Sequence, residues 1–278
     1  MLWKVGARIH DLLQEDSENL VEELKNSEVE TAQLTLPKFL SGEEPSGGFS
    51  LERLKEIKEI FDAANVTIRV LSCYINPLAE DSEAQQKKFK RYVDYAAIMG
   101  VKIVGTETGT VVSDLREFEQ NHTEENFERL IAVMSPLIEY ASSKGVSVGI
   151  ETVKYFPVCD AKRFDRFLQS FPKCSICGIF DPTNLLYAGN YQAQWDIFEE
   201  FVAMHAKRIE VVHLKDFVRE DGILKESPLF SGLLDVDFVI ALLKKYNVKA
   251  DVMIEGAPTK TAFKTIKNKL KEIIKRGV

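Results

Sequence analysis

At 278 residues the chain suits one large barrel or two modest domains, and its 45% apolar and 28% charged residues are ordinary for a globular protein that buries a sizeable core. A net charge of −7 runs against the basic footprint of a nucleic-acid binder, and four cysteines are too few for a disulfide scaffold. No run approaches the roughly 18 apolar residues of a membrane-spanning helix, and Lys4 and Arg8 interrupt Met1–His10, so no secretory signal is read there and the expected location is cytoplasmic.

Strand-like and helix-like segments then alternate along the chain. Trp3–Ile9 is the first strand candidate and His10 follows it. Glu30–Leu34 comes next, then the connection Thr35–Phe49, whose part Ser41–Phe49 is rich in Gly, Ser and Glu and reads as a βα loop. Leu51, Leu54, Ile57, Ile60 and Phe61 form an apolar stripe at helical spacing. Thr67–Leu71 and Lys102–Gly105 are the third and fourth strand candidates, followed by the connections Ser72–Glu83 and Thr106–Thr123. His122 and Glu124–Glu128 read as the exposed start of a helix. Its stripe is Leu130, Val133, Met134, Leu137 and Ile138, with a kink expected at Pro136. Ser147–Ile150, Ser175–Phe180, Glu210–His213 and Ala250–Ile254 complete the strands, with a helix over Trp195–Arg208 and a connection over Lys215–Leu233. The last stripe is Ile266, Leu270, Ile273 and Ile274, with Thr261 as a plausible N-cap and a Lys-rich face, Lys264–Arg276, that reads as solvated.

Eight strands and eight helices, several strands apolar throughout, predict a single (β/α)8 TIM barrel domain over residues 1–278. A doubly wound fold is the alternative, but the G-x-G-x-x-G turn that marks it is missing after the first strand. Helix-to-strand connections are short and stop on Asn65, Gly100, Gly145 or Asn247, whereas the long connections all follow strands. Long loops in a compact domain tend to be functional, and in a barrel these lie on the carboxyl-terminal face, where barrel enzymes keep their sites.

Four strand candidates end on a metal-ligand side chain: Glu151, Asp181, His213 and Glu255, separated by 30, 32 and 42 residues. Each separation is about one strand–helix unit, so parallel strands bring the four tips together. Three carboxylates and an imidazole, with no thiolate, suit Mn²⁺, Mg²⁺, Co²⁺ or Zn²⁺, and a divalent cation relieves the repulsion of the three negative charges. Taken singly, each residue reads equally well as a strand cap bonding nearby backbone. Cys174 and Cys177 form a C-x-x-C with no second pair and read as small core or strand-end residues.

The series G-I-E at Gly149–Glu151, F-D-P-T-N at Phe180–Asn184, V-H-L-K-D at Val212–Asp216 and I-E-G at Ile254–Gly256 resembles the xylose isomerase-like barrel superfamily, most sharply over 146–256. That group includes sugar isomerases, ketose epimerases, inosose isomerases and dehydratases, and apurinic-site endonucleases. The resemblance implies one divalent metal, Mn²⁺ first among the candidates, held by Glu151, Asp181, His213 and Glu255. It implies that Glu151 and Glu255 also exchange a proton with a substrate carbon through a metal-stabilised enediolate. The substrate class implied is a sugar, sugar phosphate or cyclic polyol, and relatives are often homo-oligomers. Asn184 stands where many relatives carry a histidine; it can bond a substrate hydroxyl but cannot serve as an ionisable base.

Keto-polyol dehydration at the same site is an alternative. The nuclease branch needs five histidines for its three metals, and this chain has four: His10, His122, His205 and His213. A barrel that binds a sugar without turnover is a third reading. His10, after the first strand, and Glu107, in G-T-E-T-G at Gly105–Gly109, are candidate substrate contacts. Lys215 and Arg219 are candidates for holding an anionic or hydroxylated substrate end, with Lys215 paired to Asp216 or Glu151 as the other reading.

Overall fold

The computed structural model of the protein describes residues 3–276 apart from 14–18, 41, 43 and 46. Residues 1 and 2 of the amino-terminal segment and residues 41, 43 and 46 of the Ser41–Phe49 loop therefore lie outside the described residues. Eight strands close a parallel barrel: β1 (Val5–Arg8), β2 (Thr31–Leu34), β3 (Thr67–Ser72), β4 (Ile103–Thr106), β5 (Ser147–Glu151), β6 (Ile176–Phe180), β7 (Ile209–Leu214) and, after a hairpin of β8 (Asp216–Glu220) and β9 (Ile223–Ser227), β10 (Asp251–Ile254). β10 lies between β7 and β1 and closes the cylinder in register Val5–Val252, Gly6–Met253 and Ala7–Ile254. The doubly wound alternative is thereby excluded.

Outside the strands lie α1 (Leu20–Ser27), the single turn α2 (Leu36–Phe39), α3 (Leu51–Ala63), α4 (Ser82–Met99), α5 (Glu124–Ser143), α6 (Ala161–Ser170), α7 (Gln194–His205), α8 (Val236–Lys245) and α9 (Lys260–Lys275). The apolar stripes face inward: Leu54, Ile57 and Phe61 of α3, Leu130, Met134, Leu137 and Ile138 of α5, and Leu270 and Ile273 of α9 are buried. Leu51 opens α3 and stays exposed, one turn ahead of the buried face. Asn65, Gly100, Gly145 and Asn247 all take positive φ, the left-handed geometry that stops a helix before the next strand. Pro136 sits inside α5, which continues to Ser143; it lies on the exposed side, where solvent can satisfy the carbonyl its missing N–H leaves free. α9 starts two residues earlier than expected, because the extended backbone at Thr259 lets its Oγ1 accept the Ala262 N–H at 3.1 Å; Thr261 is already helical.

The larger departure lies in the connection Lys215–Leu233, which contains the antiparallel pair β8–β9 with Phe217 opposite Glu226. Asp221 and Gly222 turn the hairpin with φ of 51° and 79°, the two positive values of the favoured two-residue turn. Asp216 anchors its base. Oδ1 accepts the N–H groups of Phe217 and Leu234, both at 2.8 Å, and Oδ2 accepts that of Gly232 at 2.9 Å.

Inside the cylinder Val70, Ile103, Cys177, Ile179, Val211 and Met253 pack as an apolar plug separate from the ring between strands and helices. Cys177 is thus a core residue, and it and Cys174 are free thiols. Gly149 makes room for the plug, since a Cβ there would lie 2.8 Å from Ile103 Cγ2 and 3.1 Å from Ile179 Cδ1. Successive strand side chains alternate between faces, so the residue two beyond each plug position also points inward, toward the carboxyl-terminal mouth. Ile179 leads to Asp181, Val211 to His213, Met253 to Glu255 and Gly149 to Glu151. The plug thereby aims the four tips.

Candidate metal centre

Glu151 and His213 lie in β5 and β7, Asp181 and Glu255 directly follow β6 and β10, the four strands are adjacent in the barrel, and all four residues are buried. His213 Nδ1 lies 3.2 Å from Glu255 Oε1 and 3.5 Å from Glu151 Oε1. Glu151, Asp181 and His213 offer ligand atoms that all lie within 4.8 Å of one another, a spacing able to hold a metal ion. Glu255 stands at the edge of this triplet, drawn toward two cations. Lys215 Nζ is 3.4 Å and Arg8 Nη1 3.5 Å from its Oε2.

Local chemistry fixes each side chain. Asp181 Oδ1 accepts the backbone N–H groups of Thr183 at 2.9 Å and Asn184 at 3.2 Å, so the aspartate caps the 3₁₀ turn Thr183–Leu185 that Pro182 introduces. Asn184 Nδ2 donates to Glu151 Oε1 at 2.6 Å and ties β5 to β6. Glu255 donates its N–H to the Leu214 carbonyl, and Gly256, at φ +65°, turns the chain away directly after it. The Gly256 N–H reaches Asp11 Oδ2 at 3.1 Å, and the same oxygen accepts from Arg8 Nε at 3.0 Å. His213 Nε2 meets Gln33 Oε1 at 2.5 Å, and Gln33 Nε2 donates to the Tyr74 hydroxyl at 3.0 Å.

At the centre, Asp181 Oδ2 and His213 Nδ1 are buried without a hydrogen-bond partner among the described residues. Asp181 Oδ2 has an ammonium, Lys215 Nζ, at 2.9 Å, but not in hydrogen-bond geometry. A buried carboxylate oxygen and an imidazole nitrogen without hydrogen-bond partners are what a divalent cation would take up, once the imidazole gives up its proton. The donor set of carboxylate oxygens and one imidazole nitrogen fits such an ion.

The electrostatics follow from this crowding. Burial lowers the His213 imidazole, but Glu255 and Glu151 outweigh it and lift the group to about 9. Burial would raise Glu255; His213, Lys215 and Arg8 hold it down at about 2. Burial pushes Asp181 up to about 6 against the attraction of Lys215, with Glu151 and Glu255 adding repulsion. Glu107 is pushed up to about 8, first by burial and then by Glu151, and it feels Lys215, Glu255 and Asp181 as well. Counting by twos from Ile103 of the plug through Gly105 puts it on the same inner face. Lys215 keeps its proton, since Asp181, Glu255 and Glu151 overcome its burial.

The remaining sequence candidates fall in three places. Lys215 points inward, but pairs with Asp181, Glu255 and Glu226 rather than with Asp216 or Glu151. Alternation explains this: Val211, His213 and Lys215 share one face, while Asp216 turns outward to cap backbone. His10 is half-buried, neither ring nitrogen is hydrogen-bonded, and burial lowers it to about 4, leaving a neutral imidazole beside Asp11, Arg8 and Glu255. Arg219 is exposed on β8, its guanidinium 5.9 Å from the Tyr191 ring centre. His122 is not an exposed helix start: its Nε2 meets the Lys154 carbonyl at 2.9 Å and its ring packs on Phe118. His205 is buried at the end of α7 against the Ala161 carbonyl. Arg8, Gln33, Tyr74 and Glu226 were not read from the sequence. With Glu107, every barrel strand or its following residues supplies a side chain to the centre, and counting by twos from the plug would have found Tyr74, two beyond Ser72 and four beyond Val70.

The sequence model of the xylose isomerase-like TIM barrel family matches residues 21–273, and the chain belongs to that family. Comparison of the sequence with curated proteins finds no match. Among solved structures, the chain is similar to the IOLI protein with a bound zinc atom, at 17% identity and a TM-score of 0.73 over 99% of both chains. It is also similar to a D-tagatose 3-epimerase-like protein, at 16% identity and a TM-score of 0.73 over 98% of both chains. A third is a xylose isomerase-like TIM barrel protein from Mycobacterium smegmatis in complex with magnesium, at 13% identity and a TM-score of 0.68 over 98% of this chain and 96% of that one. At these identities the likeness is one of fold. Among the described residues no helix is long and apolar enough to cross a membrane.

Proposed function

We propose that the protein is a divalent-metal-dependent isomerase or epimerase that moves a proton beside a carbonyl of a sugar, sugar phosphate or cyclic polyol. The observation that carries this reading is the convergence of three buried carboxylates on His213, with Asp181 Oδ2 and His213 Nδ1 left without a hydrogen bond there. Family membership and the sugar epimerase-like and metal-bearing neighbours support it.

Glu151, Asp181 and His213, with Glu255 completing the set, would hold the ion, which when bound supplies positive charge to the substrate oxygens as negative charge develops on them. Glu255 is the proton acceptor. His213, Lys215 and Arg8 keep it ionised at every physiological pH. Glu151 takes the complementary role, oriented by Asn184. Lys215 and Arg8 fix Glu255 from the side away from His213. His10, neutral and with neither ring nitrogen hydrogen-bonded, is a ready hydrogen-bond partner for a substrate hydroxyl.

Dehydration of a keto-polyol at the same site is the second reading, and one observation favours it. Glu107, lifted to about 8, holds a proton at neutral pH and is the acid a departing hydroxyl needs. The nuclease reading gains nothing, since His122 and His205 are engaged by backbone carbonyls away from the centre.

The test is solvent deuterium exchange, with Mn²⁺ present, over a panel of ketoses and inososes. One substrate carbon gains deuterium, and Glu255→Gln lowers the rate by about 10²–10⁴-fold, the range of general acid–base catalysis. Exchange unchanged in Glu255→Gln removes that residue from the role, and water loss instead of exchange selects the dehydratase.

A further inference from the structure

We infer that Gln33 sets the direction of a hydrogen-bond chain, from His213 through its own amide to Tyr74, that presents His213 Nδ1 as a bare lone pair to the ion and the Tyr74 hydroxyl proton to an oxygen of the substrate. This rests on the metal-dependent reading above. It adds Gln33 as a positioning residue and Tyr74 as a substrate-contacting donor.

The direction of the chain follows from donor and acceptor bookkeeping. A neutral imidazole carries one N–H, and the nitrogen facing the ion must be the bare one. His213 Nδ1 faces Glu151 and Glu255, so the proton sits on Nε2. The group 2.5 Å from Nε2 must then be an acceptor, which orients the Gln33 side chain with Oε1 toward His213. Its Nε2 is left to face Tyr74 at 3.0 Å. An amide NH₂ only donates, so the Tyr74 oxygen accepts and its own proton must point elsewhere. No group among the described residues accepts that proton in a hydrogen bond. Alternation from Val70 of the plug through Ser72 turns Tyr74 to the inner face, where its hydroxyl meets Gln33 beside His213, and burial, then the charges of Glu151, Glu255 and Glu107, keep the phenol protonated. A carboxylic side chain at 33 would reverse the last link. It still accepts from His213, but it accepts from Tyr74 too and takes the proton away from the cavity.

Gln33 is held for this task. It is fully buried in β2, and its neighbour Ala32 pairs with Ala7 of β1. β2 and β3 pair with a register shift between Ala32 and Gln33, which moves Gln33 opposite Val70. An uncharged, fully buried amide in a strand interior costs stability unless both ends are bonded, and here both are.

The experiment measures Co²⁺ affinity by visible absorbance, then the affinity of the Co²⁺-loaded protein for acetohydroxamate, a small chelating mimic of a carbonyl with an adjacent oxyanion. Gln33→Leu should weaken Co²⁺ about 10–100-fold, the usual loss when the partner of a metal-bound histidine is removed. Gln33→Glu should bind Co²⁺ as well as the wild type or better, yet lose about tenfold in acetohydroxamate affinity. Tyr74→Phe should show the same hydroxamate loss with Co²⁺ affinity unchanged. Wild-type Co²⁺ affinity in folded Gln33→Leu overturns the positioning role. Wild-type hydroxamate affinity in Gln33→Glu or Tyr74→Phe overturns the donor role, and these two variants retain polar or aromatic bulk should Gln33→Leu fail to fold. Absence of Co²⁺ binding by the wild-type protein overturns the metal-dependent reading itself, and this inference with it.

Discussion

Lys215 Nζ lies 2.9 Å from Asp181 Oδ2 and 3.4 Å from Glu255 Oε2, so one buried ammonium bridges two of the carboxylates proposed to hold the ion. It offsets part of the charge of Glu151, Asp181 and Glu255 before any metal arrives, and it competes with the metal for Asp181. Lys215→Met should therefore act in opposite directions on the two forms. The metal-free protein should lose roughly 3–5 kcal/mol, the cost of stranding a buried charge. The gain in melting temperature on adding Mn²⁺ should be larger than in the wild type. Melts in chelator and in saturating Mn²⁺ measure both, and an equal metal-induced gain in the two proteins would argue against the competition.

The imidazole supplies a pH dependence. In the metal-free protein His213 is lifted to about 9, above its ordinary value near 6.5. Its contribution to stability is fully present below that ordinary value and fades as pH rises through about 9. A ligating imidazole must be neutral, so metal uptake at pH 7 releases a proton, and affinity should rise between pH 6 and 9. Glu255 runs the other way: held at about 2, it stabilises the fold above its ordinary value, and that contribution goes as pH falls toward 2. Calorimetric metal titrations in buffers of different ionisation enthalpy count the released proton; a count of zero at pH 7 contradicts the assignment.

Asp216 holds the β8–β9 hairpin over the barrel mouth by accepting three backbone N–H groups. Asp216→Ala leaves the buried Phe217 and Leu234 donors unpaired, with the exposed Gly232 turned to solvent, and should cost about 1–3 kcal/mol. Faster amide exchange should be confined to the segment 217–234, followed by mass spectrometry. Unchanged exchange there would mean that other contacts, such as Glu226 with Lys215, fix the hairpin.

The barrel plug predicts a packing effect remote from the chemistry. Gly149→Ala forces a methyl against Ile103 and Ile179 and should destabilise by about 1–3 kcal/mol. Gly149→Ala combined with Ile179→Val removes the Cδ1 atom 3.1 Å away and should recover part of that loss in a denaturant melt.

The barrel was legible because several of its strands announce themselves as short apolar runs, and because Asn65, Gly100, Gly145 and Asn247 mark the helix stops that their backbone angles require. The four tips were legible because alternation makes a polar residue at the end of an apolar strand face the same way as the plug. Arg8, Gln33 and Tyr74 escaped for the complementary reason. Arg8 and Gln33 sit within strands whose neighbours are not uniformly apolar, and Tyr74 follows a strand end already marked by Ser72 and Cys73. The hairpin escaped although Asp221–Gly222 is a turn signal, because Arg219, Glu220, Lys225 and Glu226 dilute the strand pattern on either side. Lys215 was seen, but its partners were set by two other strands and a hairpin, contacts no local pattern encodes.

The central claim is tested most directly by equilibrium titration of the metal-free protein with Mn²⁺, following free ion by electron paramagnetic resonance. One ion per chain should bind to the wild type, with Asp181→Ala and His213→Ala each losing it while remaining folded by circular dichroism. A wild-type chain that binds no ion, or an Asp181→Ala protein that binds one as tightly as the wild type, would contradict it.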